Sequence, residues 1–185
     1  MADTVIRRAQ PADALRLTSL VHASRAYGGP YASILSGYSV SRAYVERECV
    51  YLALDAAGDG PRGGGRGRRG GSGGELLGFY ALLPHTEPPE LDLLFVADAA
   101  QGRGIGMLLV DHMREQAREA GLERVTVIAH PPAEGFYLRA GAHRTGTRPA
   151  SPPAVRWERP ELCFELYEGG DEGGSGGGEG GPWRR

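Results

Sequence analysis

The sequence predicts a single α/β domain with a mixed central sheet flanked by helices. Three observations support this class. Strand-like runs and amphipathic helices follow one another in the order β, α, α, β, β, β, α, β, α, β. A glycine-rich turn joins an apolar run to a long helix in mid-chain. Outside the glycine-rich segments about 155 residues remain, which is enough for one domain with its own core.

Three strands and two helices are predicted in the first half of the chain. The strand patterns cover residues 4–8, 49–54 and 75–83. The last two are expected to pair as a hairpin. The first helix begins at Pro11, because proline suits a first turn, and extends to about Tyr27. The second helix covers residues 41–48, with Ser39 or Ser41 as its N-cap.

The second half of the chain contains the longest helix pattern. Apolar residues recur at helical spacing from Ile105 to Ala120, and Gly121 is placed to end this helix. A shorter helix is predicted within residues 133–142. The strand patterns of this half cover residues 91–96, 124–129 and 162–167.

Two glycine-rich segments interrupt these patterns. The domain is predicted over residues 1–168, with an insert at 58–74, and a tail follows at 169–185. Neither segment has enough apolar side chains to offset the entropy of ordering, so both are expected to be disordered. The insert carries four arginines between Arg62 and Arg69, and Arg-Gly sequences can bind RNA. A nucleic-acid-associated protein therefore stays open as an alternative, although no aromatic neighbour supports it.

The hexapeptide from Gln101 to Gly106 lies between a strand and the long helix. The first amides of a helix have no partner within it, and the helix dipole leaves partial positive charge there. Glycines in this loop remove the Cβ atoms that would keep an anion away. A Walker loop is excluded, because the chain has no lysine. A dinucleotide-binding loop has Gly-x-Gly-x-x-Gly near the start of a βαβ unit, which this loop does not. An ordinary glycine turn stays the alternative.

Two motifs carry a family resemblance. Gln101, Gly104 and Gly106 follow an apolar strand in the pattern Gln/Arg-x-x-Gly-x-Gly/Ala, which resembles the pyrophosphate loop of the GNAT superfamily of N-acetyltransferases. The segment from Ala133 to Ala142 resembles the second GNAT signature, Ala-x-x-Phe-Tyr-x-x-x-Gly-Phe. The resemblance implies a GNAT-like acyltransferase fold and transfer of an acetyl group from acetyl-CoA to a primary amine.

Acetyl transfer needs a base for the ammonium, an oxyanion donor and an acid for the departing thiolate. Tyr137 matches the family tyrosine and is the predicted acid, because a phenol with an ordinary pKa of about 10 stays protonated at neutral pH. The alternative is a core aromatic. Pro132 and Ala142 stand where the family commonly has Asn and Phe. These departures are expected to remove a hydrogen bond to the pantetheine arm and some packing under the helix.

The predicted base lies on the strand before the loop. Alternation places Glu90, Asp92, Leu94 and Val96 on one face of this strand. The resemblance implies Glu90 or Asp92 as the base, with proton loss to bulk water as the alternative. A backbone amide near Phe95 or Val96 would stabilise the oxyanion.

Two sets of binding residues are predicted. Acetyl-CoA is expected to contact Leu94, Phe95, Val96, Gln101, Gly102, Arg103, Gly104, Ile105, Gly106 and Tyr137. The resemblance implies that residues 27–38 and 151–160, the latter including Arg159, wall the acceptor pocket. Within them the acceptor is expected to contact Tyr31, Tyr38, Arg156 and Trp157. Aromatic rings and a guanidinium can hold a small amphiphilic or carboxylate-bearing amine, although these residues would also serve as loop packing. No metal site is predicted, because the histidines lack metal-ligand spacing.

Composition limits the partners and the compartment. The net charge of −2 gives no general attraction to nucleic acid, and no apolar run approaches the length of a membrane span. The N-terminus lacks the features of a signal peptide, so a cytoplasmic protein is expected. The predicted partners are acetyl-CoA and a small-molecule amine, with a homodimer left open. The remaining alternative is a non-catalytic module that binds acyl-CoA as a regulator.

Overall fold

The computed structural model describes residues 4–27, 31, 34–35, 37–56 and 74–167. Its strands are β1 (Thr4–Arg8), β2 (Cys49–Asp55), β3 (Leu76–Leu83), β4 (Glu90–Val96), β5 (Arg124–Ile128), β6 (His143–Arg148) and β7 (Arg159–Glu165). Its helices are α1 (Ala14–Ala23), α2 (Arg42–Arg47), α3 (Ile105–Glu119) and α4 (Glu134–Arg139). Apart from Gly74, the predicted insert and tail lie outside the described residues, so the domain limits stay a prediction. Within the described ranges no helix is both long and apolar enough to cross a membrane.

The seven strands form one sheet in the spatial order β1-β2-β3-β4-β5-β7-β6. All neighbouring pairs are antiparallel except β4 and β5, which run parallel. The predicted mixed sheet flanked by helices is therefore confirmed. The register of β4 and β5 contains a single pair, Glu90 with Thr126. The ends of the two strands separate beyond this pair and enclose a gap.

Two apolar clusters, one on each face of the sheet, hold the helices in place. Helix α3 packs on one face through Leu109, Val110 and Met113, which are fully buried. Helix α1 packs on the other face through Leu17 and Val21. Each of these side chains stabilises the fold by about 1.5–3 kcal/mol relative to an exposed position. The packing brings the start of α3 next to the end of β4, where the glycine loop lies.

Most predicted elements are present, with small differences in their bounds. The hairpin of β2 and β3 is confirmed. The Ser41 side chain accepts a hydrogen bond from the Tyr44 amide at 3.0 Å, so Ser41 is the N-cap of α2. Helix α1 ends at Ala23, four residues before the predicted end, because Ser24 is extended with φ −69° and ψ 129°. Gly121 ends the α3 segment with a φ of 75°, as predicted.

Strand β6 is missing from the sequence prediction, which has six strands. Five of its six residues are exposed, and its sequence HRTGTR has no apolar alternation. It lies at the sheet edge and, among the described strands, pairs only with β7. The prediction is wrong here because a strand pattern records burial of one face, whereas β6 is held through its backbone.

A β-bulge at Asp92 interrupts the pairing of β3 with β4. Ala81 pairs with Leu93, and the following residue Leu82 pairs with Leu91. Asp92 therefore has no register partner on β3, which leaves two residues of β4 opposite one of β3. A bulge of this kind shifts the side-chain alternation by one residue.

The bulge determines which way the two acidic residues of β4 lie. Leu91 packs with Leu94 in the cluster beneath α3, although the two are three residues apart. Phe95 belongs to the cluster on the opposite face. Glu90 and Asp92 line a cavity together with Phe95. The predicted grouping of these acids with Leu94 is wrong, because alternation cannot account for the extra residue.

Candidate active site

Three cavities form a row across the opening between β4 and β5. The loop cleft lies between the segment 101–106 and α4 and has a volume of about 540 Å³. The sheet gap lies between the ends of β4 and β5 and has a smaller volume, about 100 Å³. The Glu90 pocket lies beyond the gap, between Tyr38, Glu90 and Trp157, and has a volume of about 170 Å³.

Shared lining residues connect the three cavities. Those common to the loop cleft and the sheet gap are Leu94, Val96, Gln101 and Ala133. Those common to the sheet gap and the Glu90 pocket are Asp92, Phe95, Ile128 and His130. A molecule in the loop cleft can therefore extend through the gap toward a second molecule in the Glu90 pocket.

The backbone gives the loop cleft its anion-binding character. Gly102 and Gly104 have φ angles of 74° and 82°, which residues with a side chain rarely adopt. Gly104 is the N-cap of α3, and the first three residues of that helix line the cleft. The amides at this end have no partner within the helix. An anion such as pyrophosphate fits this arrangement.

Gly106 allows α3 and α4 to approach each other beside the cleft. A Cβ atom at this position would lie 3.0 Å from Cε2 and 3.1 Å from Cζ of Phe136. Contacts this short require the ring to move. The glycine therefore serves both the helix contact and the open volume of the loop cleft.

Acidic neighbours hold the polar side chains of the loop. Gln101 Nε2 donates a hydrogen bond to Asp98 Oδ1 at 3.2 Å. Arg103 Nη2 lies 3.9 Å from Asp55 Oδ2 at the end of β2. Arg103 lines none of the three cavities, whereas the other nine residues predicted to contact acetyl-CoA each line at least one.

Tyr137 lines the sheet gap from α4 and is 7% exposed. Its ring meets Phe136 and Phe164 edge-on, with centroids 5.1 Å and 6.4 Å away. The residue belongs to the core beneath α3 as well as to the gap. Tyr137 is thus a core aromatic that also lines the gap, and its role as the acid stays a prediction.

His130 lies at the junction between the sheet gap and the Glu90 pocket. Its Nε2 donates to the Ala26 carbonyl at 2.9 Å, since a carbonyl oxygen can only accept. Its ring meets Tyr31 edge-on at 4.4 Å. Burial lowers the pKa of His130, so the ring is neutral at neutral pH. The histidine therefore holds Ala26 and Tyr31 at this junction and adds no positive charge.

Asp92 is held by Tyr44, a residue that the sequence did not indicate. The Tyr44 hydroxyl donates a hydrogen bond to Asp92 Oδ2 across 48 positions of sequence. Burial and the charge of Asp92 raise the pKa of Tyr44, so its hydroxyl stays a donor. Helix α2 carries Tyr44, and no motif links that helix to β4. Only the packing of α2 beside the sheet brings the two side chains together.

Glu90 and Asp92 differ in position. Asp92 lines the sheet gap and the Glu90 pocket, whereas Glu90 lines only the pocket.

Burial and the charge of Asp92 raise the pKa of Glu90, an effect that Arg148 and Arg159 oppose. A raised pKa makes a carboxylate a stronger base. Asp92 is the nearer of the two acids to the cavity that Tyr137 lines.

The predicted acceptor residues occupy different places. Tyr38 and Trp157 line the Glu90 pocket. Tyr31 packs behind it, with its ring 4.8 Å from that of Trp157. Arg156 is exposed and lines none of the three cavities. Arg159, the first residue of β7, lines the pocket instead.

Three side chains of the kinds that bind metal ions lie close together, away from the three cavities. The donor atoms of His143, Cys163 and Glu165 all lie within 4.8 Å of one another. His143 lies opposite Cys163 in the pairing of β6 with β7, so sequence spacing could not reveal the cluster. Burial raises the pKa of the Cys163 thiol to about 11, which disfavours the thiolate that metals bind.

Comparison with known proteins gives one family match. Residues 71–150 match the family model of the acetyltransferase (GNAT) domain. This segment contains the glycine loop, α3 and α4. The match supports acetyl transfer as the general activity. No curated protein matches the chain by sequence.

Solved structures share the fold at low sequence identity. A GCN5-related N-acetyltransferase from Rhodopseudomonas palustris is 18% identical, with a TM-score of 0.69 over 89% of this chain and 97% of that one. The yncA structure from Salmonella typhimurium, with its cofactor acetyl-CoA, is 16% identical, with a TM-score of 0.64 over 94% and 99%. The ribosomal-protein-S18-alanine N-acetyltransferase from Escherichia coli is 12% identical, with a TM-score of 0.60 over 92% and 98%.

Proposed function

We propose a function from the premise that this chain contains a GNAT acetyltransferase domain, as its sequence predicts. The protein transfers the acetyl group of acetyl-CoA to the primary amine of a small molecule, by direct attack within a ternary complex. The observation that carries this proposal is the connected row of loop cleft, sheet gap and Glu90 pocket. It allows both substrates to be bound at the same time.

The loop cleft suits the pyrophosphate and upper pantetheine arm of acetyl-CoA. Gly102 and Gly104 leave the backbone open, and the start of α3 provides amides for an anion. The sheet gap is narrow and suits an extended chain. Leu94 and Val96 line both cavities, so the arm would follow the end of β4. A structurally similar protein, yncA, has acetyl-CoA as its cofactor, which supports the choice of donor.

The residues around the gap supply the three chemical needs of the transfer. The reaction forms one N–C bond and breaks the C–S bond of the thioester. Asp92 takes a proton from the ammonium, with Tyr44 holding its carboxylate in place. A backbone amide at Phe95 or Val96 donates to the oxyanion. Tyr137 donates its phenolic proton to the departing thiolate, and the second amine proton leaves to solvent.

Glu90 has a supporting role in this scheme. It lines the Glu90 pocket, and its raised pKa favours accepting a proton from the acceptor or from Asp92. The two carboxylates also favour a cationic amine over a neutral competitor.

Two measurements test the proposal. Isothermal titration calorimetry with acetyl-CoA and with CoA is expected to give saturable binding at micromolar concentration. Release of free thiol across a panel of small primary amines is expected to identify at least one acceptor. Absence of acetyl-CoA binding at high micromolar concentration would disprove the proposal. Tight binding without thiol release from any amine would instead indicate a non-catalytic acyl-CoA-binding module.

A further inference from the structure

We infer that the acceptor is a primary amine that also carries a carboxylate and an apolar side chain, in the manner of an apolar amino acid. This inference rests on the proposed function, because it names the substrate of the same site. It follows from the positions of the charged groups in the Glu90 pocket, from two buried donors and from the pocket wall.

Asp92 and Arg159 occupy different parts of the pocket. Asp92 lies at the junction with the sheet gap, where the amine must meet the thioester. Arg159 and Trp157 line the Glu90 pocket but not the gap. An acceptor with its ammonium at Asp92 would therefore place its other polar group toward Arg159.

Two residues that line this pocket carry buried N–H groups without an acceptor atom among the described residues. Nε1 of Trp157 and Nε of Arg159 are both buried, and neither has a hydrogen-bond partner in the part of the chain that the structure describes. Buried donors are nearly always paired in proteins. A carboxylate can accept from a guanidinium through two parallel bonds and from an indole through one. An anionic oxygen group of the substrate would satisfy both donors.

The charge of Arg159 is not neutralised by a close ion pair with a described carboxylate. Glu161, two residues along β7, lies 3.7 Å from Arg148. Glu90 is influenced by the Arg159 charge, but the two do not approach within ion-pair distance. Arg159 would repel a second ammonium group, so a diamine fits this pocket poorly.

Most of the remaining wall is apolar. The side chains that provide it are Ile34, Leu35, Leu93, Phe95 and Ile128. A hydrocarbon or aromatic side chain on the acceptor would bury its surface against them. The pocket volume of about 170 Å³ is in keeping with an acceptor as small as a single amino acid.

The test uses matched pairs of amines that differ only in the carboxylate. Leucine is compared with 3-methylbutylamine, and phenylalanine with 2-phenylethylamine. Wild-type protein is expected to show at least about tenfold higher kcat/KM for the carboxylate-bearing member, as for a hydrogen bond to a charged group. With CoA present, that member alone is expected to raise the Tm.

Arg159→Gln tests the residue that makes the distinction. In this variant the ratio of kcat/KM between the two members of each pair is expected to fall below about threefold, mainly because kcat/KM for the carboxylate-bearing amine decreases. Trp157→Phe is expected to give a ratio between those of wild type and Arg159→Gln. Arg124→Gln removes an exposed charge from β5 that lines none of the three cavities and should retain the full preference. Circular dichroism and the Tm without ligand confirm that each variant is folded.

The outcomes separate this inference from the proposed function. Thiol release with equal kcat/KM for both members of each pair would overturn the inference and leave the acetyltransferase intact. The same result in Arg159→Gln as in wild type would also overturn it. A Tm shift by the carboxylate-bearing amine that Arg159→Gln abolishes would support the inference even if no thiol were released, whereas the missing thiol would disprove the proposed function.

Discussion

The loop cleft and the Glu90 pocket are built on different principles. The cleft comes from one short segment, Gln101–Gly106, with the start of α3 and the facing helix α4. The pocket combines side chains from four separate parts of the chain: Ile34, Leu35 and Tyr38 before α2, the strand β4, the end of β5 with His130, and Trp157 with Arg159. The cleft would bind its ligand through backbone amides, whereas the pocket presents carboxylates, a guanidinium and aromatic rings. A ligand common to many enzymes suits the first design, and a ligand particular to one enzyme suits the second.

The two regions also differ in what a substitution would change. Backbone donors are independent of side-chain identity, so only a side chain that fills the cleft should disturb the donor site. In the pocket each side chain contributes its own charge or shape. The sheet gap between them carries the residue on which the chemical step should depend, and the following variants separate these three parts.

Tyr137→Phe should have the largest effect on turnover. Removal of the proposed acid is expected to lower kcat by about 10³-fold, within the range of general acid catalysis. The Kd for acetyl-CoA should stay within about twofold, because the ring and its packing are retained. Calorimetry and thiol release measure the two quantities. Tyr167→Phe, at an exposed tyrosine after β7, is the matched control; an unchanged kcat in Tyr137→Phe would exclude this residue as the acid.

Gly106→Val should abolish the donor site without changing the pocket. A side chain here would meet Phe136 and occupy the loop cleft, so we expect acetyl-CoA affinity to fall by about 100-fold. Calorimetry measures the affinity. Gly146→Val on the edge strand β6, where a Cβ would meet its nearest neighbour at 3.8 Å, should leave the affinity unchanged. Retained affinity in Gly106→Val would show that the cleft does not hold the donor.

Asp92→Asn should identify the base. We expect kcat/KM at pH 7 to fall by about tenfold, with a smaller loss in Tyr44→Phe, because that hydroxyl only positions the carboxylate. Acetyl-CoA affinity should not change. Asp111→Asn on the exposed face of α3 is the control. A larger loss in Glu90→Gln than in Asp92→Asn would transfer the role to Glu90.

Glu90→Gln should have the smallest effect, on stability. The pKa of Glu90 is raised in the fold, chiefly by burial, so its contribution to stability is present below the unfolded pKa and is lost as pH rises through the folded pKa. The charged group is thus unfavourable at pH 7. We expect the variant to raise the Tm at pH 7 by roughly 1–3 °C, and by less at pH 4. Glu123 is exposed, so Glu123→Gln should leave the Tm unchanged at both pH values. A lower Tm of Glu90→Gln than of wild type at pH 7 would contradict the raised pKa of Glu90.

The sequence brought together the residues of the loop cleft well and those of the Glu90 pocket only in part. Gln101 and Gly106 belong to a contiguous motif, and Tyr137 to another, so their places follow from local order. The segment 151–160 was expected to wall the pocket, but the sequence did not decide between its arginines: Arg156 is exposed and Arg159 lines the pocket, which depends on the course of the loop before β7. Tyr44 was missed, because its contact with Asp92 joins helix α2 to the bulge of β4.

The sequence by itself determined the fold class, the glycine loop before α3 and the tyrosine of α4. These features depend on neighbours along the chain, through helix periodicity, turn geometry and capping. Only the tertiary structure decided the edge strand β6, the direction of Glu90 and Asp92 after the bulge, and the row of connected cavities. These depend on strand register and on the packing of distant segments, which no local pattern records.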